Sequence, residues 1–116
     1  MKKIYYLSTC DTCKRIMKEI GVDSTWEKQD IKTAPVSKEQ LEEMKALSGT
    51  YEALFSKRAQ KYKALGLKDM NLTEADYKKY ILQEYTFLKR PVVLLGEAIF
   101  IGNAKKVTEA IQKVLE

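Results

Sequence analysis

The chain opens on Lys2 to Leu7, KKIYYL, whose β-branched and aromatic residues predict a first strand. Small and polar residues from Ser8 to Cys13 interrupt it. Ile16, Met17 and Ile20 then recur at helical spacing, and Gly21 stands where a helix takes its C-cap. A second short strand is expected across Thr25 to Ile31, carried by Trp26 and Ile31 and broken at Ala34-Pro35. Ser37 with Gln40 has the form of a capping box ahead of Leu41, Met44 and Leu47, a helix that stops at Ser48-Gly49. Helical composition continues from Thr50 to Leu65 on Tyr51, Leu54, Phe55, Tyr62 and Leu65. Thr73 and Asp76 open another capping pattern before Tyr77, Tyr80, Ile81 and Tyr85, so the whole middle third reads as helix. Pro91 introduces Val92 to Leu95, Gly96-Glu97 makes a tight turn, and Ala98 to Ile101 reads as the returning strand of a hairpin. From Asn103 a last helix carries Val107, Ala110, Ile111 and Val114 at the helical period.

The order is β-α-β, a helical insertion at about residues 37–86, then β-β-α. It predicts an α/β protein of thioredoxin-like fold with a mixed four-stranded sheet, in one domain over 1–116. A chain of 116 residues, 45% hydrophobic, suffices for one core and not for two. Charged residues make up 32% of it, and no stretch nears the roughly 18 apolar residues of a membrane span. Ile4 to Leu7 is too short for the apolar region of a signal peptide, so a soluble, cytoplasmic protein is expected. The net charge of +5 comes from lysines interleaved with acids, the pattern of a solvated surface. Tyr77, Tyr80 and Tyr85 fall at helical spacing as core filling, so direct nucleic-acid binding is not expected.

Histidine is absent, which removes the commonest general base and the commonest zinc ligand together. No glycine-rich phosphate loop or paired catalytic carboxylate is visible either. The chemistry therefore falls to Cys10 and Cys13, placed after a strand and at the opening of a helix. Two intervening residues bring both sulfurs to one turn, where they can close a disulfide, and a helix N-terminus favours thiolate over thiol. Cys10, at the exposed end, is the expected nucleophile. Cys13, one turn in, would resolve a mixed disulfide or sulfenate formed on Cys10. A structural zinc site needs four ligands, which two cysteines cannot supply within one chain. Asp11 and Thr12 are expected to offer backbone N–H groups to an anion, and Ser8 and Thr9 to act as turn and cap residues.

Three segments together, CDTC at 10–13, LFSKRAQKYKALGL at 54–67 and FLKRPVVLLGEAIFIGN at 87–103, resemble the arsenate reductase (ArsC) family over essentially the whole chain. The resemblance implies a thioredoxin fold with a helical insertion. It also implies glutathione- or thioredoxin-linked reductases, YffB-like proteins or Spx-type regulators as functional kin. Cys10 matches the family's nucleophilic cysteine. Arg90 matches an arginine before a proline, here Pro91, expected to be cis and to face the cysteine loop. A guanidinium there can bind an oxyanion with two hydrogen bonds and lower the thiol pKa. Arg58 matches an arginine of the Spx and YffB branches; in the arsenate reductases proper the corresponding arginine falls near Ser56, and a further one near Gly102, where this chain offers Lys105 and Lys106 only later.

The resemblance thus implies an ArsC-like thiol-disulfide oxidoreductase acting on a small oxyanion such as arsenate, or on a disulfide. Cys10 would attack, Arg90 with Arg58 and Pro91 would shape the substrate site, and Cys13 or glutathione would resolve the adduct. No tightly bound cofactor is expected, with glutathione, thioredoxin or glutaredoxin as reductant and thiol redox partner. The alternative is a Spx-like regulator in which the Cys10–Cys13 disulfide tunes binding to the RNA polymerase α-subunit. In that reading Gly49 lies in the polymerase-binding segment, although ALSGTYEAL also reads as an ordinary helix break.

Overall fold

The computed structural model describes residues 1–116. In chain order the elements are β1 (Lys2–Tyr6), α1 (Asp11–Glu19), β2 (Glu27–Asp30), α2 (Lys38–Ser48), α3 (Gln60–Ala64), α4 (Glu74–Gln83), β3 (Val92–Leu95), β4 (Ala98–Ile101) and α5 (Lys105–Leu115), with 3₁₀ turns at Glu52–Leu54, Leu67–Asp69 and Tyr85–Phe87. They form two compact units, Met1–Ala34 with Arg90–Glu116, and Pro35–Lys89; the expected insertion, 37–86, falls inside the second.

The first unit is a mixed four-stranded sheet in the order β2-β1-β3-β4, with β1 parallel to β2 and antiparallel to β3. A two-residue turn closes the β3–β4 hairpin. Gly96 takes φ +60° in it, the left-handed geometry that a II′ turn requires at its first central position. Strand alternation sends Ile4, Val93 and Leu95 to one face, where Ile16 of α1, its C-cap Ile20 and Ile111 of α5 complete a buried cluster with Trp26. Each such side chain contributes roughly 1.5–3 kcal/mol by burial, and together they anchor α1 so that its first turn has a fixed place at the end of β1. Lys3 and Tyr5 alternate to the opposite face; the Lys3 ammonium pairs with Glu27 of β2 and lies over the Tyr5 ring.

Two readings of the pattern are corrected in this unit. The second strand covers Glu27–Asp30 only, because Trp26 turns into the cluster as the residue that closes the Asp23–Trp26 turn. The inward face of α5 runs through Val107, Thr108, Ile111 and Leu115, while Ala110 and Val114 are exposed. Leu115 wins over Val114 because it lies one turn beyond Ile111 on the same stripe.

In the second unit the capping boxes at Ser37/Gln40 and Thr73/Asp76 start α2 and α4 as the sequence predicts. The stretch from Thr50 to Leu65 is not a continuous helix, and this is the principal correction. Phe55 is extended and bridges Leu88, with Lys89 N–H donating to Leu54 C=O (2.8 Å) and Ser56 N–H to Phe87 C=O (2.6 Å). Those long-range bonds occupy the backbone groups that a helix would use. They also bury Phe55 against Phe87 and Tyr77, at ring separations of 5.0 and 4.9 Å. Aromatic burial at this junction outweighs helix propensity, which is worth only tenths of a kcal/mol per residue. Glu74 ties the preceding 3₁₀ turn to α4 by accepting the N–H groups of Tyr51 (2.7 Å) and Glu52 (3.0 Å). Tyr85 likewise leaves α4, which ends at Gln83, for the 3₁₀ turn that leads to Phe87.

Candidate active site

β1 delivers the chain into a tight turn, Leu7 to Cys10, closed by the Cys10 N–H on the Leu7 carbonyl at 3.0 Å. Ser8 and Thr9 are its central residues and neither caps the helix. Cys10 itself takes the N-cap position of α1, in extended conformation, and its carbonyl accepts the first helical bond from Lys14 N–H (3.2 Å). Asp11, exposed, and Thr12, half-buried, follow as the first helical residues; N–H groups at a helix start have no partner within the helix. Cys13 lies one residue further on, fully buried, next to Ile16 on the inward face.

The two sulfurs are unequal. Both are free thiols, Cys10 partly exposed and Cys13 buried. Partial burial acts to raise the pKa of Cys10, but the Cys13 N–H, the Cys13 thiol and the Arg90 guanidinium all favour its thiolate and together bring it below the ordinary thiol value. Burial pushes Cys13 the other way, up to about 11; the Leu7 N–H opposes this, while donation to the Cys10 sulfur reinforces it. Of the two, Cys10 is therefore the one favoured as thiolate, accepting a hydrogen bond from the Cys13 thiol, which stays protonated.

Arg90 comes from the later segment of the first unit, immediately before β3, whose start pairs with the end of β1. The Arg90-Pro91 peptide bond is cis, as the resemblance implies. Pro91 is buried, and its carbonyl accepts the Gly102 N–H at 2.9 Å, which fixes the start of β3 against the end of β4. Arg90 is half-buried, and it hydrogen-bonds Cys10 and places its charge on both sulfurs. Cys10, Asp11, Thr12, Cys13, Arg90 and Pro91 thus belong to one unit. Arg58 belongs to the other, exposed in the turn before α3.

Asp30 was not singled out by sequence reasoning. It ends β2 opposite Tyr6, and its carboxylate accepts the N–H groups of Ser8 (3.3 Å) and Lys32 (3.1 Å). Its pKa is lowered, first by the Ser8 hydroxyl, with the two backbone N–H groups adding to that. The only sequence signal was an acid near the end of the expected second strand.

A mixed sheet in this order, with a thiol pair opening the first helix and a cis-proline leading the third strand, defines a thioredoxin-like protein. The profile of the ArsC family matches residues 5–111, and the chain belongs to that family. Among solved structures it is similar to a YFFB protein (22% identity, TM-score 0.78, covering 97% of this chain and 99% of that one). It is also similar to a Staphylococcus aureus protein (25%, 0.73, 95% and 97%) and to an arsenate reductase from Vibrio cholerae (18%, 0.74, 97% and 96%). No curated protein sequence matches it. No helix is long and apolar enough to cross a membrane.

Proposed function

We propose that this protein is a thiol-dependent oxidoreductase of the arsenate reductase type, with Cys10 as nucleophile, Arg90 as the cation that holds the substrate's oxygens, and Cys13 as the resolving thiol. The carrying observation is the split between the two thiols, one held toward thiolate at a helix start beside Arg90 and its neighbour buried and protonated. On a disulfide substrate, the Cys10 thiolate attacks one sulfur, the S–S bond breaks, and the first thiolate leaves. Cys13 then gives up its proton and attacks the Cys10 sulfur; the second thiolate leaves, and a Cys10–Cys13 disulfide remains for an external thiol or dithiol to reduce. On arsenate, Cys10 displaces one oxygen as water to form a sulfur–arsenic bond. A second thiol, Cys13 or glutathione, then attacks the Cys10 sulfur, and the bonding pair stays on arsenic, which departs as arsenite.

Membership of the ArsC family and likeness to an arsenate reductase support this reading. Asp11 and Thr12 would present N–H groups to the oxyanion, and Arg58 is assigned to the substrate site by its match to family members alone. The test is NADPH oxidation driven by arsenate or by a small disulfide, with the thioredoxin system and the glutathione/glutaredoxin system each supplied. Turnover is expected to vanish in Cys10→Ser and to weaken in Arg90→Ala; a parent protein inert toward both substrates with both reductants contradicts the reading. The regulator reading rests on the same thiol pair. Gly49, its other support, takes φ +94° as the C-cap of α2, which is reason enough for a glycine there. Binding of polymerase α-subunit that changes on oxidation would favour it.

A further inference from the structure

We propose that Asp30 is a positioning residue for Cys10: from the end of β2 its carboxylate grips Ser8 and so fixes the turn that aims the Cys10 sulfur at the Cys13 N–H and at Arg90. The inference rests on Cys10 as the reactive thiol, and it concerns what holds that thiol in place.

Three features carry it. Ser8 is the first central residue of the Leu7–Cys10 turn, and the Asp30 carboxylate takes both its N–H (3.3 Å) and its hydroxyl. Asp30 is itself immobilised. It stands in register with Tyr6, the Ile31 N–H donates to the Tyr6 carbonyl (2.9 Å), and the Asp30 carbonyl accepts the Ala34 N–H (2.8 Å). Finally, the favourable contacts of Cys10 are directional. A hydrogen bond weakens steeply with misalignment, so a turn free to rock would forfeit the Cys13 and Arg90 interactions before it disturbed the core. The turn has one covalent anchor in β1 and one in α1; Asp30 supplies the third point, from the neighbouring strand.

The sign of the effect separates positioning from simple electrostatics. Removing a negative charge near a thiol lowers that thiol's pKa, because the thiolate loses a repulsive neighbour. Loss of the turn's anchor raises it, because the thiolate loses its donors. Lys32, the cation beside Asp30, is left unsubstituted in every variant. Asp30→Ala removes charge and anchor together, whereas Asp30→Asn removes the charge and keeps an oxygen that can accept from Ser8.

The experiment is the pH profile of Cys10 alkylation by iodoacetamide in the Cys13→Ser background, for Asp30 itself, Asp30→Ala, Asp30→Asn and Ser8→Ala. Expected is a rise of about half a unit in Asp30→Ala, roughly a threefold loss of thiolate below the pKa, with Asp30→Asn at or slightly below the starting value. Ser8→Ala, which breaks only the hydroxyl arm and leaves the strand intact, should show a smaller rise of the same sign. A pKa that is unchanged or lowered in both Asp30→Ala and Ser8→Ala overturns the inference, and should Asp30→Ala not fold, Ser8→Ala decides it alone. A starting Cys10 that titrates as an ordinary thiol would instead overturn the proposed function, so the two failures are distinct.

Discussion

The buried thiol of Cys13 donates to the sulfur of Cys10, a contact that lowers the pKa of one and raises that of the other, adding to the burial of Cys13 and to the Cys13 N–H and Arg90 at Cys10. The donor is pinned because Cys13 shares the inward face of α1 with Ile16, in the core of the sheet unit. The acceptor is reachable because the N-cap residue stands at the helix edge, where Cys10 remains partly exposed.

Replacing Cys13 should therefore act at Cys10. In Cys13→Ala the donor is gone, and the alkylation pKa of Cys10 is expected to rise; in Cys13→Ser a hydroxyl keeps the donation, and the pKa should stay closer to the parent's. Equal profiles for the two variants would show that the side-chain donor is unimportant.

Arg90→Ala should raise the Cys10 pKa as well, by roughly one unit for the loss of a neighbouring cation with its hydrogen bond. Arg90→Lys should recover part of it, since an ammonium restores charge without the planar fork. Alkylation rates between pH 5 and 9 measure both.

The thiol pair also fixes how stability responds to alkali. Cys13 has its folded pKa raised to about 11, so the folded state keeps a proton that the unfolded chain releases from about pH 8.5 upward. Stability contributed by the protonated thiol is complete below that pH and falls as pH climbs toward 11, by on the order of 1 kcal/mol per pH unit. Cys10, with its folded pKa lowered, works in the opposite sense: its contribution is present above the unfolded thiol pKa and is lost as pH falls through the folded value. Urea midpoints from pH 8 to 10.5 should accordingly fall less steeply in Cys13→Ala than in the parent. Parallel slopes would contradict the assignment of the raised pKa to Cys13.

Glu74 makes a separate test in the helical unit. Its carboxylate caps the 3₁₀ turn at Tyr51 and Glu52 while lying in the first turn of α4, where negative charge is favoured. Glu74→Ala is expected to cost about 1–2 kcal/mol in urea denaturation, and Glu74→Gln less.

Most of the sheet unit was legible because its signals are local. KKIYYL, VVLL and AIFI alternate or run apolar at strand length, and Gly96 sits where the hairpin needs positive φ. The capping boxes at Ser37 and Thr73 were equally self-contained. What escaped was long-range. Nothing between Thr50 and Leu65 announces that Phe55 will leave the helix to bridge Leu88 from 33 positions away, because the partner that rewards it is not in the window. The inward face of α5 was misread for a related reason, since Leu115 at the last turn outcompetes Val114 only once the sheet is in place. In the site, Cys10 and Cys13 were visible from spacing, and the roles of Arg90 and Pro91 came with the family resemblance. Asp30 was invisible, because its contact with Ser8 exists only through the register of two strands.

The division of labour between Cys10 and Cys13 is open to observation in a single turnover on the reduced protein. It would be mixed with one equivalent of a small aromatic disulfide, quenched with acid at intervals, and its mass measured intact and after digestion. An early adduct on Cys10 is expected, which disappears as the second thiolate is released and leaves a protein two hydrogens lighter with Cys10 and Cys13 joined; Cys13→Ser should stop at the adduct. A first adduct on Cys13, or a parent whose Cys10 adduct persists as long as that of Cys13→Ser, would contradict that division of labour.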